Sequence, residues 1–67
     1  MSVAKISEIS AISSVSFDDA VKVGVARANK TLKNVTGAWV SEQKVSIENG
    51  EVTGYQVTMR VTFILTD

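Results

Sequence analysis

The 67-residue sequence contains no cysteine and no histidine, and its seven basic residues balance seven acidic ones. These properties exclude a disulfide framework, argue against a structural zinc site and give no general affinity for nucleic acid or an anionic membrane. A chain of this length buries only about 60% of its unfolded surface. We therefore predict a single domain, residues 1–67, stabilised by association with other copies of itself. No apolar run reaches the length of a membrane span and the first residues contain no signal-peptide core, so we expect a soluble cytoplasmic protein.

Residues 3–12, with the sequence VAKISEISAI, are rich in β-branched side chains and predict a first strand. The alternation of apolar residues is imperfect, because Ile6 and Ile12 fall on one parity while Val3 and Ile9 fall on the other. Such a slip is typical of an edge strand or of a strand with a bulge.

A helix is predicted to follow. Ser16 is a favourable N-cap, and Asp19 lies three residues later, where a capping-box acid stands. Apolar and small residues then recur at spacings of three and four and form one stripe: Phe17, Ala20, Val21, Gly24, Val25, Ala28 and Leu32. Gly24 costs about 1 kcal/mol relative to alanine in mid-helix, so we expect it to allow close approach of a strand or another subunit. The segment from Asn34 to Gly37 is predicted to end the helix.

Residues 38–65 contain two alternating, β-rich segments separated by Asn49 and Gly50. Both residues accept the positive φ angles of a type I′ turn, so this dipeptide predicts a hairpin of two long strands. These two strands, the second and third of the chain, therefore lie next to each other in the sheet and run antiparallel.

A two-residue loop sets the register of this hairpin. Trp39 is predicted to lie opposite Arg60, and Gln43 opposite Gln56. Alternate residues of the last strand form an apolar row on the core side: Tyr55, Val57, Met59, Val61, Phe63 and Leu65. The other side of the sheet, which we call the outer face, is expected to carry the polar and aromatic candidates Trp39, Ser41, Gln43, Gln56 and Arg60. The same face is expected to carry the apolar residues Val45, Ile47, Val52 and Ile64.

The predicted order is strand, helix, strand, strand, which is an α+β fold of the β-α-β-β type. The helix returns the chain so that the second strand runs parallel to the first, and the third strand lies between them, antiparallel to both. The resulting three-stranded antiparallel sheet wraps around the single helix. Because nothing else in the chain can cover the outer face, we expect other copies to cover it.

The sequence offers little for catalysis, since it lacks histidine and cysteine and its acids are scattered. We therefore predict no catalytic residues, no metal ligands and no enzymatic activity. Trp39, the only tryptophan, has two interpretations. It is either an interface anchor between subunits or a stacking platform for a flat ligand, in reach of hydrogen-bonding groups on Gln43, Gln56 and Arg60.

The chain resembles the dodecins, small flavin-binding proteins that assemble as hollow homododecamers. The resemblance covers almost the whole length and lies in KISEISAIS, in SFDDAV, in GVARANKTL continuing into NV, and above all in YQVTMRVTFIL. It implies the fold already predicted, a strand, a helix and two long strands wrapped around the helix. It also supplies the oligomer that so short a chain requires.

The resemblance further implies a flavin site. In flavin-binding dodecins a tryptophan at the start of the second strand stacks on the isoalloxazine ring, and a glutamine on the third strand hydrogen-bonds its polar edge. The glutamine corresponds to Gln56. Without gaps, the tryptophan position falls on Gly37, and Trp39 lies two residues later. If the strand is regular there, Trp39 projects from the same face, displaced by about 6–7 Å along the strand.

Two outcomes follow from this displacement. In the first, which we expect, a small shift at Gly37 brings Trp39 to a flavin, and the protein stores or sequesters it. No phosphate motif decides among riboflavin, FMN and FAD. In the second, Trp39 fills a contact between subunits, and a dodecin-like assembly binds a metal ion, another small molecule or nothing.

Overall fold

The computed structural model describes residues 2–65. The elements in chain order are β1 (Val3–Ser13), α1 (Phe17–Thr31), β2 (Val35–Glu48) and β3 (Glu51–Leu65). The strands form one sheet in the order β1-β3-β2, and β3 is antiparallel to both neighbours. The predicted β-α-β-β fold with the third strand in the centre is confirmed. The helix of the described residues is too short and too polar to cross a membrane.

The N-terminus of α1 is built by Ser16 together with the last residue of β1. The Ser16 hydroxyl accepts a hydrogen bond from the backbone N–H of Asp19 at 3.0 Å, as its position predicts. The Asp19 carboxylate accepts a hydrogen bond from the hydroxyl of Ser13 at 2.6 Å. Ser13 Oγ in turn accepts from the backbone N–H groups of Val15 and Ser16, at 2.9 and 3.4 Å. The helix start is thereby tied to the end of the first strand.

The helix ends earlier than predicted, at Thr31, with Leu32 as the C-cap residue. Asn34 adopts a φ of 62°, a conformation that asparagine tolerates, and turns the chain into β2. β2 already begins at Val35. Gly37 therefore lies inside the strand, and the prediction that it belongs to the end of the helix was wrong.

The helix packs closely on the sheet through small side chains. The buried core is one cluster made of Ala11, Ala20, Ala28, Val57, Met59 and Val61. Gly24 is buried beside it, and a Cβ at this position would lie 2.5 Å from Met59 Cε and 3.1 Å from Ala11 Cβ. The prediction that Gly24 permits close approach of a strand is confirmed.

The hairpin between β2 and β3 turns at Asn49 and Gly50. Their φ angles are 51° and 79°, as a type I′ turn requires. Glu48 is paired with Glu51, which confirms the two-residue loop.

The pairing of β2 with β3 has three register shifts. One lies between Val35 and Gly37, and the other two are β-bulges of opposite direction nearer the turn. Thr53 is an extra residue on β3, and Ser41 is an extra residue on β2. The hydroxyl of each donates a hydrogen bond to a carbonyl of the facing strand, at 3.3 and 3.1 Å respectively. Because the two shifts cancel beyond Ser41, Trp39 lies opposite Arg60 as predicted.

Between the bulges the predicted register was wrong by one residue. Gln43 is paired with Val57 instead of Gln56. Since directly opposed residues share a face of the sheet, Gln43 lies on the helix side and not on the outer face. Val45 is moved to the helix side by the same shift, because it is paired with Tyr55.

Replacing Gly24 by alanine should lower the stability of the protein. Crowding of the added methyl against Met59 and Ala11 costs about 1–3 kcal/mol, which outweighs a gain of about 1 kcal/mol in helix propensity. We expect a net loss of about 1 kcal/mol in the free energy of unfolding, measured by urea denaturation at a fixed protein concentration.

Gly37→Ala is the matched control, because nothing lies within 4 Å of a Cβ at that position. It should leave the urea midpoint unchanged or raise it slightly. A Gly24→Ala protein that is more stable than the wild type would contradict the close packing of α1 on the sheet.

Candidate functional site

A row of three side chains crosses the outer face from β1 to β2. Glu8 is paired with Arg60, and Arg60 is paired with Trp39. The guanidinium carbon of Arg60 lies 4.8 Å from the centre of the Trp39 ring, within the range of a cation–π interaction. Arg60 Nε donates to a Glu8 carboxylate oxygen at 3.5 Å. The Trp39 ring is thus held beside a guanidinium that is itself anchored on the far strand.

This row leaves both an aromatic surface and hydrogen-bond donors open. Trp39 is 62% exposed in the single chain although Arg60 lies over its ring. Within residues 2–65, the two terminal nitrogens of the Arg60 guanidinium have no hydrogen-bond partner. An exposed indole next to free, charged N–H groups suits a flat ligand that also carries hydrogen-bond acceptors.

Gln56 lies on the same face of the sheet as Arg60, four residues away along β3. This spacing corresponds to about 13 Å along the strand. Across the sheet, Gln56 is paired with Ile12 on β1 and with Lys44 on β2. The structure therefore brings Gln56 onto the face that carries Trp39, but at a distance along the strand.

Gly37 lies in β2, two residues before Trp39. It is paired with Thr62, and the strand is regular from Gly37 to Val40, so Gly37 and Trp39 share the outer face. The space around Gly37 is open, since a Cβ there would have no neighbour within 4 Å. A ring stacked on Trp39 has room to extend over this position.

Two surface depressions differ in their relation to these residues. The smaller one, of about 150 Å³, is lined by Glu42, Gln43, Lys44, Gln56 and Thr58. The larger one, of about 440 Å³, contains none of the predicted site residues. It runs between α1 and the unpaired edge of β1, and its apolar lining is Ile9, Ala11, Val23, Gly24, Ala28 and Leu32. We place the candidate site on the outer face, because it combines the exposed aromatic ring of Trp39 with hydrogen-bonding side chains.

Sequence reasoning missed two members of this face. Glu8 is the anchor of Arg60, and Lys44 occupies the position opposite Gln56 that was assigned to Gln43. The alternation of side chains along β1 indicates that Glu8 and Ile6 share a face of the sheet. Only the long-range pairing of β1 with β3 shows that Arg60 is the partner of Glu8. Across residues 2–65, no group of three or more acidic side chains lies close enough together to hold a metal ion.

The fold and the site together define a class of small β-α-β-β protein in which one sheet face packs on the helix and the other presents an aromatic side chain. Comparison with protein families gives a match to the dodecin model over residues 3–66. No curated protein matches the chain.

Solved structures of dodecins are closely similar. Dodecin from Streptomyces davaonensis is 30% identical, with a TM-score of 0.93, over 98% of this chain and 97% of the relative. Dodecin from Streptomyces coelicolor is 29% identical, with a TM-score of 0.93, over 98% and 94%. A single-residue variant of the T. thermophilus dodecin is 31% identical, with a TM-score of 0.94, over the full length of both chains. The chain belongs to the dodecin family.

Collisional quenching of Trp39 fluorescence tests the arrangement of the row, because Trp39 is the only tryptophan. The positive charge of Arg60 should favour the anion iodide over the cation caesium as a quencher. In Arg60→Gln, we expect the ratio of the iodide to the caesium quenching constant to fall by about twofold at low salt. Lys22→Gln, which removes the same charge from α1, should leave the ratio unchanged. An unchanged ratio in Arg60→Gln would show that its guanidinium does not lie over the ring.

Proposed function

We propose that this protein is a flavin-binding storage or sequestration protein that forms a hollow homododecamer. The observation that carries the proposal is the outer face itself, where an exposed Trp39 shares a sheet surface with Gln56. Family membership supports the same conclusion, since dodecins are flavin-binding proteins without enzymatic activity.

Stacking on Trp39 is the first contact that we propose. An indole and an isoalloxazine ring are both flat and apolar over most of their area, and their contact removes both faces from water. Arg60 lies over the ring, so a flavin either uses the opposite face of the indole or displaces the guanidinium. The open space at Gly37 suits the first arrangement.

The hydrogen bond from Gln56 to the polar edge of the flavin is the second proposed contact. Trp39 and Gln56 of one chain are separated by about 13 Å along the strand direction. We propose that the two contacts to one flavin come from neighbouring copies, so that the site is complete only in the assembly. Gln43 remains a predicted contact, but it borders the Gln56 depression from a position on the helix side and is the weaker candidate.

The shape and surface of the chain support assembly. Its radius of gyration is 13.8 Å, whereas a compact domain of this length has about 11 Å. Large apolar side chains are exposed on the outer face, among them Ile6 at 59%, Ile12 at 65% and Trp39 at 62%. Burying these side chains between copies removes apolar surface from water and supplies stability that a thin, two-layer chain lacks.

The chemistry of such a site is retention of the ligand and not turnover. A stacked ring is shielded from water, and close contact with indole provides a route for quenching its excited state. The assembly then lowers the concentration of free flavin and limits its photochemistry. Riboflavin, FMN and FAD share the ring that this mechanism requires.

A second candidate function is a dodecin-like assembly without flavin. The observation in its favour is that Arg60 already occupies one face of Trp39. The resemblance also implies that the family's tryptophan position falls on Gly37, which has no side chain to stack on a ring. In that assembly Trp39 anchors a contact between subunits, and a metal ion or another small molecule is bound elsewhere.

A titration of the purified assembly with riboflavin tests the proposal. Wild-type protein should quench flavin fluorescence with saturation near one flavin per subunit. Trp39→Ala should weaken binding by about 10- to 100-fold, the range for loss of a stacked aromatic partner. Gln56→Ala should weaken it by about 2- to 10-fold, because one hydrogen bond is lost.

Gln43→Ala is the matched comparison for Gln56→Ala, since it removes the same side chain from the neighbouring strand. The observed register predicts a smaller loss for Gln43→Ala than for Gln56→Ala. Equal affinity of wild type, Trp39→Ala and Gln56→Ala would remove the outer face from the binding site. No quenching of any flavin by an intact wild-type oligomer would support the assembly without flavin.

A further inference from the structure

We infer that the groove between α1 and β1 binds a medium-chain alkyl carboxylate. This inference does not depend on the proposed flavin function, because the groove lies on the helix side of the sheet and not on the outer face. The feature that carries it is an apolar groove of about 440 Å³ in which Arg27 is the only charged side chain among the described residues of the lining.

The groove exists because β1 is an edge strand and the helix residues beside it are small. Within residues 2–65, the strand order β1-β3-β2 leaves one edge of β1 without a partner strand. Gly24 and Ala28 are buried on α1, and neither has a side chain long enough to fill the space along that edge. Val23 lines the same space and is 49% exposed. An apolar occupant would therefore remove apolar surface from water without displacing the core.

The dimensions of the groove suit one linear apolar chain. Its volume lies within the range of about 300–1,000 Å³ that is typical of small-molecule sites. On α1 the lining extends from Val23 to Leu32, which is about 13 Å along the helix axis. An extended chain advances about 1.2 Å per bond, so a chain of about ten carbons spans about 11 Å. A chain of this length lies along the groove within its length.

The charge around the groove is positive. Helix residues 23–32 contain two basic residues and no acidic one. On β1, residues 7–11 contain one acid, Glu8, and its carboxylate is paired with Arg60 on the outer face. Arg27 is exposed and forms no salt bridge within residues 2–65. A guanidinium binds a carboxylate through two parallel, charge-assisted hydrogen bonds, so a carboxylate head group is the complement of this site.

Isothermal titration calorimetry of the intact assembly with octanoate, decanoate and 1-decanol tests the inference, with each ligand below its micelle-forming concentration. Decanoate should bind about 5- to 15-fold more tightly than octanoate, because two further CH₂ groups leave water. Arg27→Gln should weaken decanoate by about 3- to 10-fold, the range for a partly exposed charge-assisted contact. The same variant should leave the affinity for 1-decanol within about twofold, since the alcohol carries no charge.

Two further variants separate the groove from the rest of the surface. Lys22→Gln removes one positive charge from α1 outside the lining and should leave decanoate affinity within about twofold. Val23→Gln changes an exposed apolar position inside the lining and should weaken decanoate and 1-decanol alike, by about two- to fivefold. The emission maximum of Trp39 should not move when decanoate binds, because Trp39 lies on the outer face.

Several results would overturn the inference. Equal decanoate affinity of wild type and Arg27→Gln would remove the head-group contact, and an equal loss in Lys22→Gln would reduce it to a general charge effect. A shift of Trp39 emission on binding would place the alkyl chain on the outer face. No binding of decanoate by the intact wild-type assembly would show that the groove is closed, as a second copy packed against it would close it. None of these results bears on riboflavin binding, which tests the proposed function separately.

Discussion

Side chains alternate across the sheet along β3, and this period of two fixes both the core and the candidate site. Val57, Met59 and Val61 point toward the helix and are fully buried. The intervening positions, among them Arg60, point to the outer face. Because β3 is paired on both sides, one strand sets the faces of the other two. A slip of β3 by one residue would move the core side chains to the outer face and turn Arg60 toward the helix. Packing against α1 therefore strongly disfavours such a slip.

The close approach of α1 leaves the chain thin and its outer face uncovered. Small residues on the helix bring its backbone near β3, and a Cβ at Gly24 would clash with Met59. All of the helix's apolar contacts are therefore made on one side of the sheet. The exposed row of Glu8, Arg60 and Trp39 on the other side is available to a ligand or to another copy. The core and the candidate site therefore lie on opposite faces of one sheet.

The features fixed by local chemistry were predictable from the sequence. The turn at Asn49 and Gly50 requires positive φ angles, and the helix start requires an N-cap such as Ser16. The pairing of Trp39 with Arg60 was also predicted, although two opposite bulges lie between it and the turn. The family, the fold and the strand order were likewise within reach of the sequence, because their patterns run over whole elements.

The rest depends on pairing that no local pattern specifies. Ser41 has no neighbouring glycine to mark a bulge, and Gly54, which follows Thr53, does not specify which residue is left unpaired. The hydroxyls of Ser41 and Thr53 stabilise the shifts only once the strands are paired. This is why Gln43 was assigned to the wrong face. The contact of Glu8 with Arg60 joins residues 52 positions apart and follows only from the β1–β3 register. The roles of Trp39, Gln56, Gly37, Arg60 and Gln43 toward a flavin remain predictions.

The most direct test of the outer face as a flavin site is a crystal structure of the assembly grown with FMN. We predict an isoalloxazine ring in parallel contact with Trp39 and Gln56 of a neighbouring copy at the polar edge of the ring. Trp39 packed into a subunit contact with no space for a ring, or a flavin bound against the groove between α1 and β1, would contradict it.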